Sequence, residues 1–307
     1  VSSQAFLDPA DTAQWIRGFQ NVIPFVGASG MSIRDLGKGT ATAMMPARTD
    51  WTGDAEKQTI HPGCLSVLAD SSCGMAVATA LDVIEPFATL DLRMDYLRPA
   101  LAERDLLCTA TCHRLSRTVA FVRGELFQAE GSEPVATVNA TFMRATAHGR
   151  RETSPEATRS TSWSIDTSAQ VPALPPQRSP YVDFLGVQRI ARAGEPPLFR
   201  LPFRHDLIGN PMLPALHGGV LAGFAETAAI LHLVFTVEDT PSGKAPRGVD
   251  FSIDYLRSAK PIDTYAACTT VRLGARVALV QVNVWQEDPA RPVATARTHL
   301  LLPATGG

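Results

Sequence analysis

The chain has 307 residues, enough for two domains of ordinary size. Apolar residues make up 45% and charged residues 19%, a balance that supports a packed core and argues against disorder. The formal net charge of −2, with no extended Lys/Arg run, offers no surface for nucleic acid.

The first residues are polar and acidic and do not read as a signal peptide, and no apolar stretch reaches ~18 residues, so a soluble, cytoplasmic protein without membrane contact is expected. An amphipathic stretch runs from about Thr12 to Val22. Next come a predicted strand near Met31 to Pro46 and a long apolar helix near Gly63 to Leu81. Alternating and β-branched residues then predict strands over Leu90 to Tyr96, Leu106 to His113, Val119 to Gln128 and Val135 to Arg144. From about Ala145 to Ser179 the chain is rich in Ser, Thr, Pro and Arg and reads as a surface linker. The same succession then returns. It predicts a strand near Val187 to Pro202, a helix near Gly219 to Phe235, and strands over Val249 to Tyr255, Tyr265 to Arg272, Val277 to Gln286 and Val293 to Leu301.

The return is residue by residue. Pro24, Gly30, Pro46, His61 and Gly63 recur at one constant offset as Pro180, Gly186, Pro202, His217 and Gly219. After a small change in loop length, Asp95-Tyr96-Leu97-Arg98 recurs as Asp254-Tyr255-Leu256-Arg257, and Pro134-Val135-Ala136-Thr137 as Pro292-Val293-Ala294-Thr295. The chain is therefore a tandem repeat, with a first domain over residues 1–145, a linker over 146–179 and a second domain over 180–307. One helix followed by a run of strands predicts an α+β unit, an antiparallel sheet wrapped around that helix. The five cysteines (Cys64, Cys73, Cys108, Cys112 and Cys268) read as mostly buried free thiols, and Cys108 and Cys112 lack the second pair a zinc site needs. Neither a metal nor a cofactor is expected.

The helix starts carry the chemistry. Each copy has a His before a glycine-containing helix start and an acid nine residues on: His61-Pro62-Gly63 with Asp70, and His217-Gly218-Gly219 with Glu226. Unpaired N–H groups at a helix start, approached closely where glycine leaves space, suit an oxyanion. A carboxylate on an apolar helix is costly to bury without a partner or a purpose. Small neighbours (Ser66, Cys73 and Gly74 around Asp70; Ala222, Gly223 and Ala229 around Glu226) leave room beside each acid. Nine helical residues place His and acid about 13.5 Å apart along the axis and on roughly opposite sides. The simplest resolution pairs the helix start of one copy with the acid of the other.

This doubled constellation, an Asn, then His-Gly-Gly, then the acid, then a Val-Asp strand bearing a Tyr, resembles the hotdog-fold acyl-CoA thioesterases of the phenylacetate-pathway type across almost the whole chain. The resemblance implies two fused hotdog units forming an intramolecular pseudo-dimer, and hydrolysis of an acyl-CoA without a metal or cofactor. In that family an Asn and the backbone N–H after the His polarise the thioester carbonyl. The acid of the facing unit activates water or attacks directly, helped by a Ser or Thr before the strand. Carried over, Asn210, His217 and Gly218 of copy two supply the carbonyl-binding half, with Gly219 beside them. Asp70 and Thr89 of copy one supply the other half. The reciprocal set, Asp54, His61 and Pro62 with Glu226 and Gly248, is degenerate: Pro62 has no N–H, Asp54 replaces an amide donor, and Gly248 lacks a hydroxyl.

Each residue also has a structural reading. The histidines can be caps, Asp70 and Glu226 backbone-bonded acids, Asn210 a turn residue and Thr89 an ordinary strand residue. Arg98 and Arg257 meet either CoA phosphates or solvent, as does the cluster His113, Arg114 and Arg117. The competing functions are a non-catalytic acyl-CoA-binding module and a hotdog hydratase or dehydratase; the latter lacks a His at the expected spacing after Asp206. Gly27-Ala28-Ser29-Gly30 does not complete a nucleophilic-serine motif. Association of the double unit into a homo-oligomer is an open expectation, favoured by exposed strand edges.

Overall fold

A computed structural model describes residues 22–54, 56–83, 85–129, 131–144, 179–192, 194–210, 214–237 and 245–303, together with Gly18. The amphipathic stretch expected from Thr12 to Val22, apart from Gly18 and Val22, lies outside the described residues, as does the linker apart from Ser179.

Among the described residues each copy has a short helix absent from the sequence reading ahead of its strands, α1 (Pro24–Ser29) in the first and α3 (Pro180–Leu185) in the second. A proline presets φ at the helix start, and Gly30 (φ 70°) and Gly186 (φ 73°) end the helices in the left-handed conformation. The single strands expected near Met31 to Pro46 and Val187 to Pro202 are instead hairpins. In copy one β1 (Ser32–Gly37) pairs with β2 (Thr40–Met45); in copy two β9 (Gln188–Arg192) pairs with β10 (Glu195–Leu201). Gly39 and Gly194, both at φ 72°, make the reversal that unbroken strand patterning hides.

The ladder β3 (Thr52–Asp54) with β4 (Thr59–Ile60) leads into helix α2 (Pro62–Ala80). Copy two repeats this as β11 (Ile208–Asn210) with β12 (Ala215–Leu216), then α4 (Gly218–Thr236). Each of these helices has 19 residues, nearly all buried, as expected of a helix apolar on every face. Contrary to the expectation of no such stretch, both are long and apolar enough to cross a membrane by length and composition; here they lie buried inside the protein.

Strands β5 (Phe87–Tyr96), β6 (Leu106–Leu115), β7 (Val119–Phe127) and β8 (Ala136–Arg144) follow α2. Their counterparts β13 (Arg247–Tyr255), β14 (Thr264–Leu273), β15 (Val277–Trp285) and β16 (Ala294–Leu301) follow α4. All join one antiparallel 12-stranded sheet in the order β1-β2-β6-β7-β8-β5-β13-β16-β15-β14-β10-β9. The seam between the copies is the β5–β13 pairing, where Phe251 lies opposite Met94 and Ile253 opposite Leu92. The result is the α+β architecture read from the sequence, two helix-and-sheet units fused back to back.

On the inner face α2 and α4 run antiparallel in close contact. A Cβ on Gly63 would lie 2.9 Å from Gly223 Cα, and one on Gly219 would lie 2.6 Å from Val67 Cα. Glycine at these points is what lets the two backbones approach. The short helices cross over: Phe25 of α1 packs against His217 with ring centroids 5.2 Å apart, and Tyr181 of α3 stacks on His61 at 4.7 Å. Each copy thus covers the helix start of the other.

Gly219→Ala would push a methyl group into the Val67 backbone, so we expect a loss of about 1–3 kcal/mol. The urea midpoint then falls with an unchanged slope; an unchanged midpoint would show that the helices part without cost.

Candidate active site

Asp70 lies on α2 where it passes the start of α4. Its Oδ2 accepts the Gly219 N–H at 2.7 Å and its Oδ1 accepts the Thr89 hydroxyl at 3.0 Å. Only 6% of the residue is exposed, a costly place for a carboxylate without such donors. The positive end of the α4 dipole adds to their effect. The acid of one copy and the helix start of the other therefore meet in one place.

Thr89 reaches Asp70 because β5 carries a bulge. Leu92 and Met94 point into the core, so plain alternation would turn Thr89 outward. The register slips by one residue between Thr89 and Asp91, and the extra residue, Leu90, reverses the alternation. Thr89 and Phe87 then face the helix while Ala88 is exposed. β13 has the same slip between Gly248 and Asp250.

The His217 ring defines the rest of the site. The Gly219 N–H also donates to its Nδ1 at 3.0 Å, so this nitrogen carries a lone pair and the ring proton sits on Nε2. From there it is donated to Ser71 Oγ, 3.1 Å away. Burial holds His217 below the usual histidine range although Asp70 pulls the other way, which suits a neutral ring. The 3.5 Å approach of Nδ1 to Asp70 Oδ2 is accordingly not an ion pair but two acceptors sharing one N–H. The preceding amide, that of Gly218, has no acceptor among the described residues, and Gly218 is partly exposed. Tyr255 donates to the Gly218 carbonyl at 2.8 Å and fixes this turn.

The second constellation differs at each of these points. The Gly63 N–H donates to His61 Nδ1 at 3.0 Å, but the preceding residue is Pro62, which offers no donor. Glu226 does not reach the helix start; it accepts from Tyr96 at 2.5 Å and from Ser66 at 3.1 Å. Ser66, expected to leave space beside Asp70, instead bonds the other acid. The Tyr96 ring occupies the ground beside Gly248, where an added Cβ would lie 3.0 Å from the ring. Glu226 is 1% exposed, and burial pushes it up to about 8 despite the Tyr96 and Ser66 bonds. Burial takes His61 down to about 3. Thr227, at the repeat position of Ser71, bonds its own helix at Gly223 O and so does not serve His61 as Ser71 serves His217. Asp54 is turned into its own loop, accepting from Lys57 Nζ and from the Glu56 and Lys57 amides. Burial would raise it, but the Lys57 bonds and charge hold it below the ordinary carboxylate range.

Asn210 ends β11, the repeat position of Asp54 on β3; its side chain lies outside the described residues. Arg98 is paired with Glu133 at 2.7 Å and with Pro134 O, whereas Arg257 bonds only the Pro292 carbonyl among the described residues. All five thiols are free, four of them buried and Cys112 half-buried. Among the described residues no His/Cys/Asp/Glu group has a metal-holding arrangement. Ser71, Tyr96, Tyr255, Phe25 and Tyr181 were not singled out as site residues in the sequence. Tyr96 and Tyr255 carried a signal as repeat-matched tyrosines, and the others acquire their place only through contacts across the copies.

The family profile described as the thioesterase superfamily matches residues 57–135 and 213–293. Among solved structures, a candidate thioesterase from Novosphingobium aromaticivorans DSM 12444 is similar over 89% of this chain and 98% of its own, with a TM-score of 0.63 and 17% identity. A hot dog fold protein of unknown function from Alicyclobacillus acidocaldarius covers 89% of this chain and 96% of its own, with a TM-score of 0.62 and 15% identity. At such identities these two likenesses show the fold alone. A variant of the phenylacetic acid degradation protein PaaI from Thermus thermophilus is 35% identical over 39% of this chain and 98% of its own, with a TM-score of 0.35. A search of curated proteins finds no match.

The raised Glu226 gives a pH signature. Below its ordinary value of 4.5 the acid is protonated folded or unfolded. Between pH 4.5 and about 8 the unfolded chain sheds that proton first, so stability falls as pH rises through this window. Glu226→Gln keeps an acceptor for Tyr96 and cannot ionise. Its melting temperature should exceed the wild type's at pH 8, with the gain fading toward pH 4.5. A gain independent of pH would mean that Glu226 is ionised in the fold.

Proposed function

The chain belongs to the thioesterase superfamily, and from that premise we propose that it hydrolyses an acyl-CoA thioester to the free acid and CoA at one composite site per chain. The observation that carries this reading is the meeting of the Asp70 carboxylate with the start of α4, where a Cβ on Gly218 would lie 2.9 Å from Oδ2 and the Gly218 N–H has no acceptor among the described residues. The thioester carbonyl oxygen accepts from Gly218 N–H, joined by the Asn210 amide. That N–H is strengthened by the helix dipole and poised for the charge that develops on oxygen. Asp70 either takes a proton from a water attacking the carbonyl carbon or attacks it directly, giving an anhydride that water then opens. In both courses the C–S bond breaks, the thiolate of CoA leaves and is protonated, and water supplies the new acid oxygen. Thr89 holds Oδ1 while Gly219 holds Oδ2, so the carboxylate is oriented before substrate arrives. The Ser71 bond locks the His217 ring that shares the Gly219 N–H.

The two ends of the molecule also differ in how they would meet the CoA phosphates. Tyr255 ties the end of β13 to the Gly218 turn, and Arg257 follows it by two residues, which supports a role for Arg257 near this site. Arg291 stands at the repeat position of Glu133, so the acid that pairs with Arg98 has a cation as its counterpart in copy two. A phosphate-bearing leaving group is favoured at the Arg257 side. The second constellation, with Pro62 and a sequestered Glu226, lacks an oxyanion donor whose loss typically costs ~100–1,000-fold in rate.

Release of free thiol from a panel of acyl-CoAs tests the assignment. Asp70→Asn should lose ~100-fold or more, Thr89→Val should show a smaller loss, and Glu226→Gln should keep wild-type turnover. Equal losses in Asp70→Asn and Glu226→Gln would mean that both constellations work. A wild type that binds acyl-CoA but releases no thiol would be a binding module, and the reading would fall.

A further inference from the structure

Each copy ends the strand after its long helix on a tyrosine, Tyr96 on β5 and Tyr255 on β13, at matching repeat positions. Both hydroxyls lie in the interior and need a partner there. They find different ones. Tyr96 crosses between the copies and donates straight to Glu226 Oε1 at 2.5 Å. Tyr255 stays within its own copy and donates to the Gly218 carbonyl at 2.8 Å. The Tyr96 ring lies beside Gly248, 3.0 Å from where a Cβ would stand, and so comes within reach of the longer acid. At the repeat position of Gly248 stands Thr89, whose own hydroxyl takes Asp70 Oδ1 at 3.0 Å.

The Gly218 carbonyl belongs to the same peptide unit as the Gly219 N–H, the donor that holds Asp70 Oδ2 at 2.7 Å. Three groups therefore stand in series: the Tyr255 hydroxyl, the Gly218–Gly219 peptide and the Asp70 carboxylate. A donor on a peptide oxygen draws charge toward that oxygen and makes the N–H across the same peptide a stronger donor. A carbonyl in the first turn of a helix ordinarily accepts one bond, from the amide four residues on. The Tyr255 hydroxyl is a further donor to this one. Burial, and then the nearby Asp70 charge, hold that hydroxyl well above the usual phenol range, so it keeps its proton at neutral pH. The second constellation has no such series. The Gly63 N–H donates to His61 Nδ1, and Tyr96 is engaged with the acid itself.

Resting on the thioesterase reading, we propose that Tyr255 is a positioning residue for the reaction, strengthening through the Gly218–Gly219 peptide the N–H that orients Asp70. Acting through the peptide leaves the carboxylate itself unencumbered. An ionised carboxyl group offers about four lone-pair positions. Thr89 and Gly219 take one each, and the others stay open to a water or to the thioester. A tyrosine bonded directly to the acid, as Tyr96 is to Glu226, would take a third and bring a ring against it. Equivalent tyrosines thus have opposite consequences: one prepares an acid from across a peptide, and the other closes an acid off.

The test compares wild type, Tyr255→Phe and Tyr96→Phe as full chains, by thiol release from the acyl-CoA panel, thermal unfolding and NMR of glycine-labelled protein. Tyr255→Phe keeps the ring and removes only the hydroxyl. Its Gly219 amide proton should move upfield, toward a weaker hydrogen bond. Its kcat on the best ester should fall ~2–10-fold, the scale of one neutral hydrogen bond, with KM nearly unchanged. Tyr96→Phe also removes a buried hydroxyl, and should lower the melting temperature while leaving kcat and the Gly219 signal as they are. An unmoved Gly219 signal in Tyr255→Phe would overturn the proposal whatever the rate does, and so would a moved signal with unchanged kcat. Equal losses of kcat in the two variants would trace the effect to packing and overturn it as well. A wild type inactive on every ester would instead overturn the thioesterase reading, and the role of Tyr255 in the rate with it.

Discussion

The structure depends on one close approach, the antiparallel contact of α2 and α4 through Gly63, Gly219 and Gly223. Without it the start of each helix would lie too far from the acid of the other, and Asp70 would have no backbone donor to meet. The contact accounts for two features at once. It buries both helices nearly all round, so each can be apolar on every face. It also sets a carboxylate against the positive end of a neighbouring dipole, which a single helix cannot do with its own residues because its acid sits more than two turns from its own start.

Given that frame, the difference between the two helix starts comes down to where one proton and one N–H go. At the start of α4 two donors converge on Asp70, and the Gly219 N–H is shared with His217 while the Gly218 N–H stays unengaged among the described residues. Such an arrangement suits a carboxylate and an incoming oxyanion together. At the start of α2 the corresponding amide is missing at Pro62. Glu226, one methylene longer than Asp70, sits among hydroxyl groups in a dry interior that favours its protonated form. Chemically similar residues thus meet different surroundings, set by the donors within reach and not by the acid itself.

How far the sequence discloses this depends on the range of the forces involved. The repeat, the long helices and most strands are written in local periodicity, and the helix bounds match to within a residue or so. The meeting of Asp70 with the His217-Gly218-Gly219 turn was also inferable, because geometry forbade the acid from serving its own helix start. The bulge at Leu90 was not legible: alternation around Leu92 and Met94 puts Thr89 outside, and only pairing with β8 shows the slip. The hairpins β1–β2 and β9–β10 were hidden because their turns need just one left-handed glycine each. The bonds from Ser71 to His217 and from Tyr96 to Glu226 join residues far apart in sequence, and nothing local distinguishes them from solvent-facing or core groups.

Fusion explains why the asymmetry can run so deep. In a dimer of identical chains every residue serves both sites, so nothing can be discarded from one without loss to the other. Here each repeat pair is free to differ, and three differences point one way: Gly218 against Pro62, Thr89 against Gly248 and Ser71 against Thr227 each leave the hydrogen-bonding group on the Asp70 side. Where the other side lacks the hydroxyl of Thr89, the Tyr96 ring packs beside Gly248. A vacant pocket would cost stability through unfilled volume, whereas a filled one recovers buried apolar contact. The second constellation is therefore part of the packed core around the α2–α4 contact, while the first keeps the donors that the proposed chemistry needs.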